Sequence, residues 1–289
     1  MATNGSNKRQ FFKKRKRPKT GEEFAKLPRQ KGMPISRMKK GIFIVPSLLT
    51  LTSIFLSFYS IILAINGRFT VAAALILVAA FFDGVDGKVA RLTKTTTRFG
   101  LELDSLADVI SFGVAPALLI YLWALEPYGR VGWVCCFVFV ACGALRLARF
   151  NVQSGQIDPK RFNGLPIPGA AAMVATTVLF FQKLGLAGSD YTTPILILTF
   201  LLAFFMVSGI KFHAFKDLGF AREKPFSTTV AFVLVLALIA ASPFIVLFVI
   251  SAAYVVSGPI LTLMLYLRNR KMASTAIEEP EEVESNATP

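Results

Sequence analysis

The chain has 289 residues, of which 54% are hydrophobic and 27 are Phe, with a mean hydropathy of +0.58 and a formal net charge of +15. A composition this apolar excludes an ordinary soluble domain of such length and points to a membrane protein with several crossings. The positive charge then has to be explained by where it lies along a membrane chain, not by a globular basic surface.

Residues 1-40 include FFKKRKRPKTG, carry 14 Lys and Arg and show little periodic apolar pattern. They read as a disordered basic tail. Because the tail adjoins a membrane helix, anionic lipid headgroups are its expected partner and nucleic acid is not. The first apolar window, 42-65, begins only after forty residues and lacks a small-residue cleavage site, so it is expected to remain as an anchor. The second window, 69-91, reads VAAALILVAAFF and then ends in FFDGVDGKVAR, with Asp83 and Asp86 one helical turn apart. A short basic joint, KVARLTKTTTRFG, leads to a third window at 101-124 that carries Glu102, Asp104 and Asp108.

The fourth window, 131-149, contains Cys135, Cys136 and Cys142 and closes with Arg146 and Arg149. The cysteines are expected to be buried as small apolar side chains, not as a disulfide or metal ligands. Windows at 165-182, 192-210, 227-242 and 244-266 follow, the last two separated at Ser242-Pro243. Roughly 18 to 25 apolar residues cross a hydrocarbon core, so the expected fold is an all-α polytopic membrane bundle of about eight helices. The end of the chain, EEPEEVESNATP, reads as an acidic disordered tail over 272-289. No internal repeat and no paired broken helices of the inverted-repeat transporter kind are visible.

With the amino terminus inside, the inner segments carry 29 of the 32 basic residues, and Arg68, Arg130 and Lys183 fall one to each outer loop. The bias predicts a cytoplasmic amino terminus, an even number of crossings and a cytoplasmic carboxyl terminus.

Charges at membrane depth are costly and mark functional sites, which singles out Asp83, Asp86, Asp104 and Asp108. At 100° per residue, the first two lie roughly 60° apart around their helix and the second two roughly 40° apart. Each pair therefore presents one carboxylate-bearing face, and the short joint between the helices brings both pairs to one level. Four close carboxylates cannot all stay ionised without cations, because repulsion and desolvation both penalise the charged form. Two divalent ions would neutralise them, and with only oxygen donors, no nearby Cys and the single histidine (His213) elsewhere, hard ions such as Mg²⁺ or Mn²⁺ fit better than zinc. The alternative is an aspartate network paired with Lys88, Arg91 and Arg98 for structure or proton relay. Gly84 and Gly87 cost about 1 kcal/mol each relative to Ala in a helix. Their presence predicts a backbone or ligand close to this face, tight helix packing, or both together. Arg91, one turn beyond Gly87, can offer a guanidinium to a phosphate.

The pattern DxxDGxxAR, eight residues, then GxxxDxxxD is met by Asp83, Asp86, Gly87, Ala90, Arg91, Gly100, Asp104 and Asp108. It resembles the signature of the CDP-alcohol phosphotransferases, membrane enzymes of phospholipid synthesis, and its eight fixed positions are far more specific than a lone glycine motif. FGLELDSLADVISFGVAPA, ALRLARFNV and FNGLPIPGAA further resemble the branch that forms phosphatidylserine from CDP-diacylglycerol and L-serine. The resemblance covers about residues 40-215. It implies a six-helix catalytic domain over 41-215, with additional helices over 216-271.

The resemblance also implies roles. Asp83 and Asp104 would each touch both metals, Asp86 the first, and Asp108 the second while acting as general base. Gly87, Arg91 and Thr97 match positions that contact the CDP part of the donor. The first helix of related enzymes often carries Pro-Asn-x-x-Thr; here PSLLT keeps Pro46 and Thr50, and Ser47 replaces the asparagine. A homodimer in the bacterial cytoplasmic membrane is implied likewise. A serine acceptor needs a cationic fork and a carbonyl or carboxylate, of which Arg146, Arg149 and Asn151 supply part. The same arginines could instead be rim charges that snorkel. Two other readings stand beside this one: another acceptor, such as glycerol 3-phosphate or an inositol phosphate, and an ion or proton transporter.

Overall fold

The computed structural model describes residues 44–92, 98–153, 161–213 and 225–278. The basic tail 1–40, Thr97 and the stretch 279–289 lie outside them. Every apolar window predicted from sequence holds a helix: α1 (Ile44–Ile65), α2 (Phe69–Leu92), a third span that opens with α3 (Arg98–Asp108) and continues through α4 (Ala115–Ile120), α5 (Arg130–Gln153), α6 (Ile167–Lys183), α7 (Thr192–Val207), α8 (Pro225–Ala241) and α9 (Pro243–Glu278). Six of these are long and apolar enough to cross a membrane, with the third span counted as one helix from Phe99 to Tyr128. The chain is thus an integral membrane protein. Helices α6 and α8 are shorter, at 17 residues each.

Helix α9 runs on to Glu278, into the stretch 272–289 expected as a tail. Its apolar window closes near residue 266, but Leu, Arg, Lys, Met and Ala continue it, and all of them favour helix without needing a lipid-facing surface.

Side-chain hydroxyls set the register of the first two helices. Ser53 Oγ donates to the Ala79 carbonyl at 3.1 Å and Ser60 Oγ to the Ala72 carbonyl at 2.7 Å. Seven residues forward along α1 match seven residues back along α2, so the pair is antiparallel. The next hydroxyl on this face, Thr50, meets the side chain of Asp86. Small residues at the contact, Ala72, Ala73 and Ala79, let the two backbones approach, as membrane helices need when lipid competes equally for apolar surface.

The third span is not a uniform α-helix. Directly after Asp108 it passes through a π-helical turn, Val109–Val114, in which the Ala115 N–H reaches back to the Ile110 carbonyl. Pro116 provides a cause: it has no N–H for the Phe112 carbonyl, and its ring crowds that carbonyl, so the local ladder re-pairs one residue further back. The turn packs against α1, α2, α5 and α6.

Helix α6 is the enclosed element. Ala170, Ala171, Val174, Ala175, Val178 and Leu179 are all buried, and the helix touches α2, α4, α5, α7 and α9. Cys135 and Cys136 are buried and Cys142 half-buried, all three as free thiols, in line with their sequence context.

Two short strands, β1 (Arg161–Asn163) and β2 (Lys211–His213), pair antiparallel with Phe162 opposite Phe212. They tie the segment after α5 to the segment after α7. Beside them Gly164 adopts φ +84, and its N–H donates to the Ile210 carbonyl. A Cβ there would strike the carbonyl oxygen of Met206. Gly164→Ala should therefore combine a strained φ, costing about 1–3 kcal/mol, with a backbone clash. The expected result is a thermal unfolding midpoint in detergent several degrees below that of the parent protein; an unchanged midpoint would show that this joint yields freely.

Candidate functional site

The acidic cluster is built from the last turns of α2 and from α3. One carboxylate oxygen each from Asp83, Asp86 and Asp104 lies within 4.8 Å of the others. Asp108, one turn beyond Asp104, interacts directly with Asp83, carboxyl to carboxyl, and also feels the charge of Asp104. The spacings Asp83/Asp86 and Asp104/Asp108 thus do bring four carboxylates to one place.

Asp86 is the most enclosed of the four, at 3% exposure, and the others are half-buried. The Thr50 hydroxyl donates to Asp86 Oδ2 at 2.8 Å. This bond, together with a backbone hydrogen bond from Gly87, restrains the carboxylate's orientation. Oδ1 of Asp83 and Oδ1 of Asp108 are buried and make no hydrogen bond among the described residues. Buried oxygens without donors are expensive. An all-oxygen set of convergent carboxylates with unpaired lone pairs suits hard divalent cations, so the residues fit the metal that the sequence pattern implies.

The glycine faces bear on one question left by the sequence. Apart from α2's own backbone and the chain neighbours, no heavy atom of the described residues lies within 4 Å of where a Cβ would stand on Gly84 or Gly87. Among the described residues, no helix packs closely against this face.

Arg146 of α5 is near enough to Tyr254 of α9 and to Asp108 to interact electrostatically with both. Its Nε is buried and has no hydrogen-bond partner among the described residues. Asn151 Nδ2 donates to Ser105 Oγ of α3 at 2.9 Å, linking the end of α5 to the aspartate-bearing helix. Arg149 is exposed. Ser47 is half-exposed on the first turn of α1. Lys88 is exposed, and the side chains of Arg91 and Arg98, like Thr97, lie outside the described residues.

Sequence inspection did not find Ser53, Ser60, Ser105 or Tyr254. The first two were visible as hydroxyls at positions 50, 53, 57 and 60, one face of a helix within an apolar run. Tyr254 carried no local signal beyond a polar tip in an apolar window.

A family model described as CDP-alcohol phosphatidyltransferase matches residues 43–205, more than half of the chain. A CDP-diacylglycerol--serine O-phosphatidyltransferase of Helicobacter pylori (strain ATCC 700392 / 26695) is 39% identical over 236 residues, 82% of this chain and 96% of the relative. The enzyme of the same name from Mycobacterium tuberculosis (strain ATCC 25618 / H37Rv) is 35% identical over 244 residues, 79% of this chain and 81% of its own. An archaetidylserine synthase of Methanothermobacter thermautotrophicus is 38% identical over 179 residues, 61% of this chain and 72% of its own.

Thr50→Val keeps the shape of the side chain and removes the donor to Asp86. Mn²⁺ affinity of the purified protein, followed by electron paramagnetic resonance, should fall about tenfold, the effect usual for a partner that orients a metal ligand. An affinity equal to that of the parent would show that Asp86 is oriented without it.

Proposed function

The chain belongs to the CDP-alcohol phosphatidyltransferase family, and on that footing we propose that it transfers the phosphatidyl group of CDP-diacylglycerol to the hydroxyl of L-serine, giving phosphatidylserine and CMP. The observation that carries this reading is the convergence of Asp83, Asp86, Asp104 and Asp108, with Arg146 set beside Asp108. The curated relatives named for this reaction support the acceptor.

Two divalent ions, Mg²⁺ or Mn²⁺, would be held by Asp83, Asp86, Asp104 and Asp108. When bound, they offset the charge of the donor's pyrophosphate and stabilise charge developing on the CMP leaving group. The protein's own part is positioning and proton transfer. The face at Gly87 admits the nucleotide end of the donor, and Arg91, Thr97 and Ser47, which match donor-contacting positions of the family pattern, contact it. Thr50 acts through Asp86, and so belongs to the ligand set as much as to the donor site.

Asp108 takes the proton of the serine hydroxyl as that oxygen attacks the lipid-bearing phosphorus. One P–O bond forms to serine, the P–O bond to CMP breaks, and the proton ends on Asp108. Arg146 binds the acceptor's carboxylate. In serine the carboxylate and hydroxyl are separated by only two carbons, so a guanidinium beside Asp108 delivers the hydroxyl to the base. Asn151, anchored to Ser105, and Arg149 frame the same side.

The basic bias of the loops supports a site at the cytoplasmic face, with both termini inside. We assign residues 41–215 to the catalytic domain of a homodimer in the cytoplasmic membrane, with 216–271 added to it.

Purified protein supplied with CDP-diacylglycerol and Mn²⁺ should release CMP when serine is present, and a chelator should abolish release. Glycerol 3-phosphate should give none, since Arg146 and Arg149 alone make a thin pocket for a phosphorylated acceptor. Release with glycerol 3-phosphate and not serine would reassign the acceptor.

Asp108→Asn should lower kcat at least about 100-fold, the scale of a lost general base. Full activity in that variant would remove the base assignment.

A further inference from the structure

The two halves of the aspartate cluster are held unequally. Helix α2 is buttressed by α1 and α6, whereas α3 packs on α1 and on its own π-helical continuation. Among the described residues, neither α2 nor α5 packs extensively against α3. Phe99, Leu101 and Leu106 of α3 are exposed, so the short helix that carries Asp104 and Asp108 lies at the edge of the bundle. Without cations, the carboxylates of α2 repel those of α3, and no close packing of the two helices sets the distance between them.

A side-chain bond reaches α3 from another helix. Asn151 Nδ2, near the end of α5, donates to Ser105 Oγ at 2.9 Å. Ser105 Oγ gives its own proton to the Leu101 carbonyl one turn back, at 3.0 Å, which leaves its lone pairs to accept from the amide. The direction of the bond is therefore set by the helix that receives it. At 100° per residue, Ser105 lies roughly 60° around α3 from Asp108 and roughly 100° from Asp104. The tie thus holds the flank beside the carboxylates and leaves the carboxylates themselves unoccupied.

We propose that Asn151 is a positioning residue of the metal centre: its bond to Ser105 ties α3 to α5 and so fixes Asp104 and Asp108 at the distance from Asp83 and Asp86 that bound cations require. The inference rests on the reading of the four aspartates as metal ligands, and it does not depend on which acceptor the protein uses. It gives Ser105 a part in the site through Asn151, with no contact of its own to metal or substrate.

The test is Mn²⁺ affinity of the full-length protein without substrate, followed by electron paramagnetic resonance. Asn151 is exposed and Ser105 half-buried, so neither truncation opens a core cavity. Asn151→Ala and Ser105→Ala should each weaken Mn²⁺ binding about fivefold, the effect of one hydrogen bond of ordinary strength. The double variant should lose less than twofold more than either single one, because both changes break the same bond. Ser105→Thr, which keeps the accepting oxygen, should bind as the parent does. Either alanine variant within twofold of the parent, or losses that multiply in the double variant, overturns the proposal. With Mn²⁺ and CDP-diacylglycerol saturating, both alanine variants should keep the parent's KM for serine. A KM raised in Asn151→Ala and not in Ser105→Ala would show that the amide meets the acceptor, and would overturn the positioning role. A parent protein that binds no Mn²⁺ would remove the metal reading, and the proposal with it; a parent that binds while the variants match it removes the proposal alone.

Discussion

Four carboxylates held within an apolar bundle are the constraint on which the rest of this structure depends. Desolvation and mutual repulsion each oppose such a cluster, by an amount on the order of several kcal/mol per ion. The bundle must therefore supply rigidity first, so that the carboxylates cannot relax apart, and then leave room for cations and substrate. The antiparallel pairing of α1 and α2 does the first. Hydroxyls of Ser53 and Ser60 bind carbonyls of α2, and the same register delivers Thr50 to Asp86. In lipid, where apolar contact gives no net drive for helices to associate, such bonds and small-residue contacts specify which helices meet.

The third span answers the second need. Asp104 and Asp108 lie on its regular opening turns, and the π-helical turn begins at the next residue. The altered pairing re-aims the backbone beyond Asp108, so one continuous segment presents two carboxylates to α2 and then packs its continuation among α1, α2, α5 and α6. Pro116 imposes the change from eight residues further on, which separates the cause of the turn from the residue that benefits. No other described element comes within 4 Å of where a Cβ would stand on Gly84 or Gly87, and Arg146 lies within electrostatic reach of Asp108.

Much of this was legible in the sequence, for identifiable reasons. Transmembrane helices declare themselves by length and hydropathy, since unsatisfied backbone in lipid excludes other secondary structure. Aspartates in such segments are rare enough to stand out, and their spacing at three and four residues fixes their faces. What the sequence left open were matters of degree and of partner. Whether Gly84 and Gly87 served packing or a ligand depended on which helix, if any, lay across them. The end of the last helix was placed too early because hydropathy marks the membrane's edge and does not mark the end of hydrogen bonding. Thr50 was assigned to the donor by resemblance, and its hydroxyl turns out to bind Asp86.

The sequence by itself determined the class of the protein and the chemistry of its site: apolar windows of membrane length, charge bias across the loops and a signature of eight fixed positions over 26 residues. These are local properties, read along one strand of chain. The tertiary structure decided which residues from distant windows share the site. Arg146 comes within electrostatic reach of Asp108 across 38 residues, and Tyr254 comes within reach of Arg146 from 108 residues beyond it, on a helix that follows the matched core. No spacing rule predicts such meetings, because they depend on how rings and bare glycine backbones fit between helices, and that fit is a property of surfaces in three dimensions.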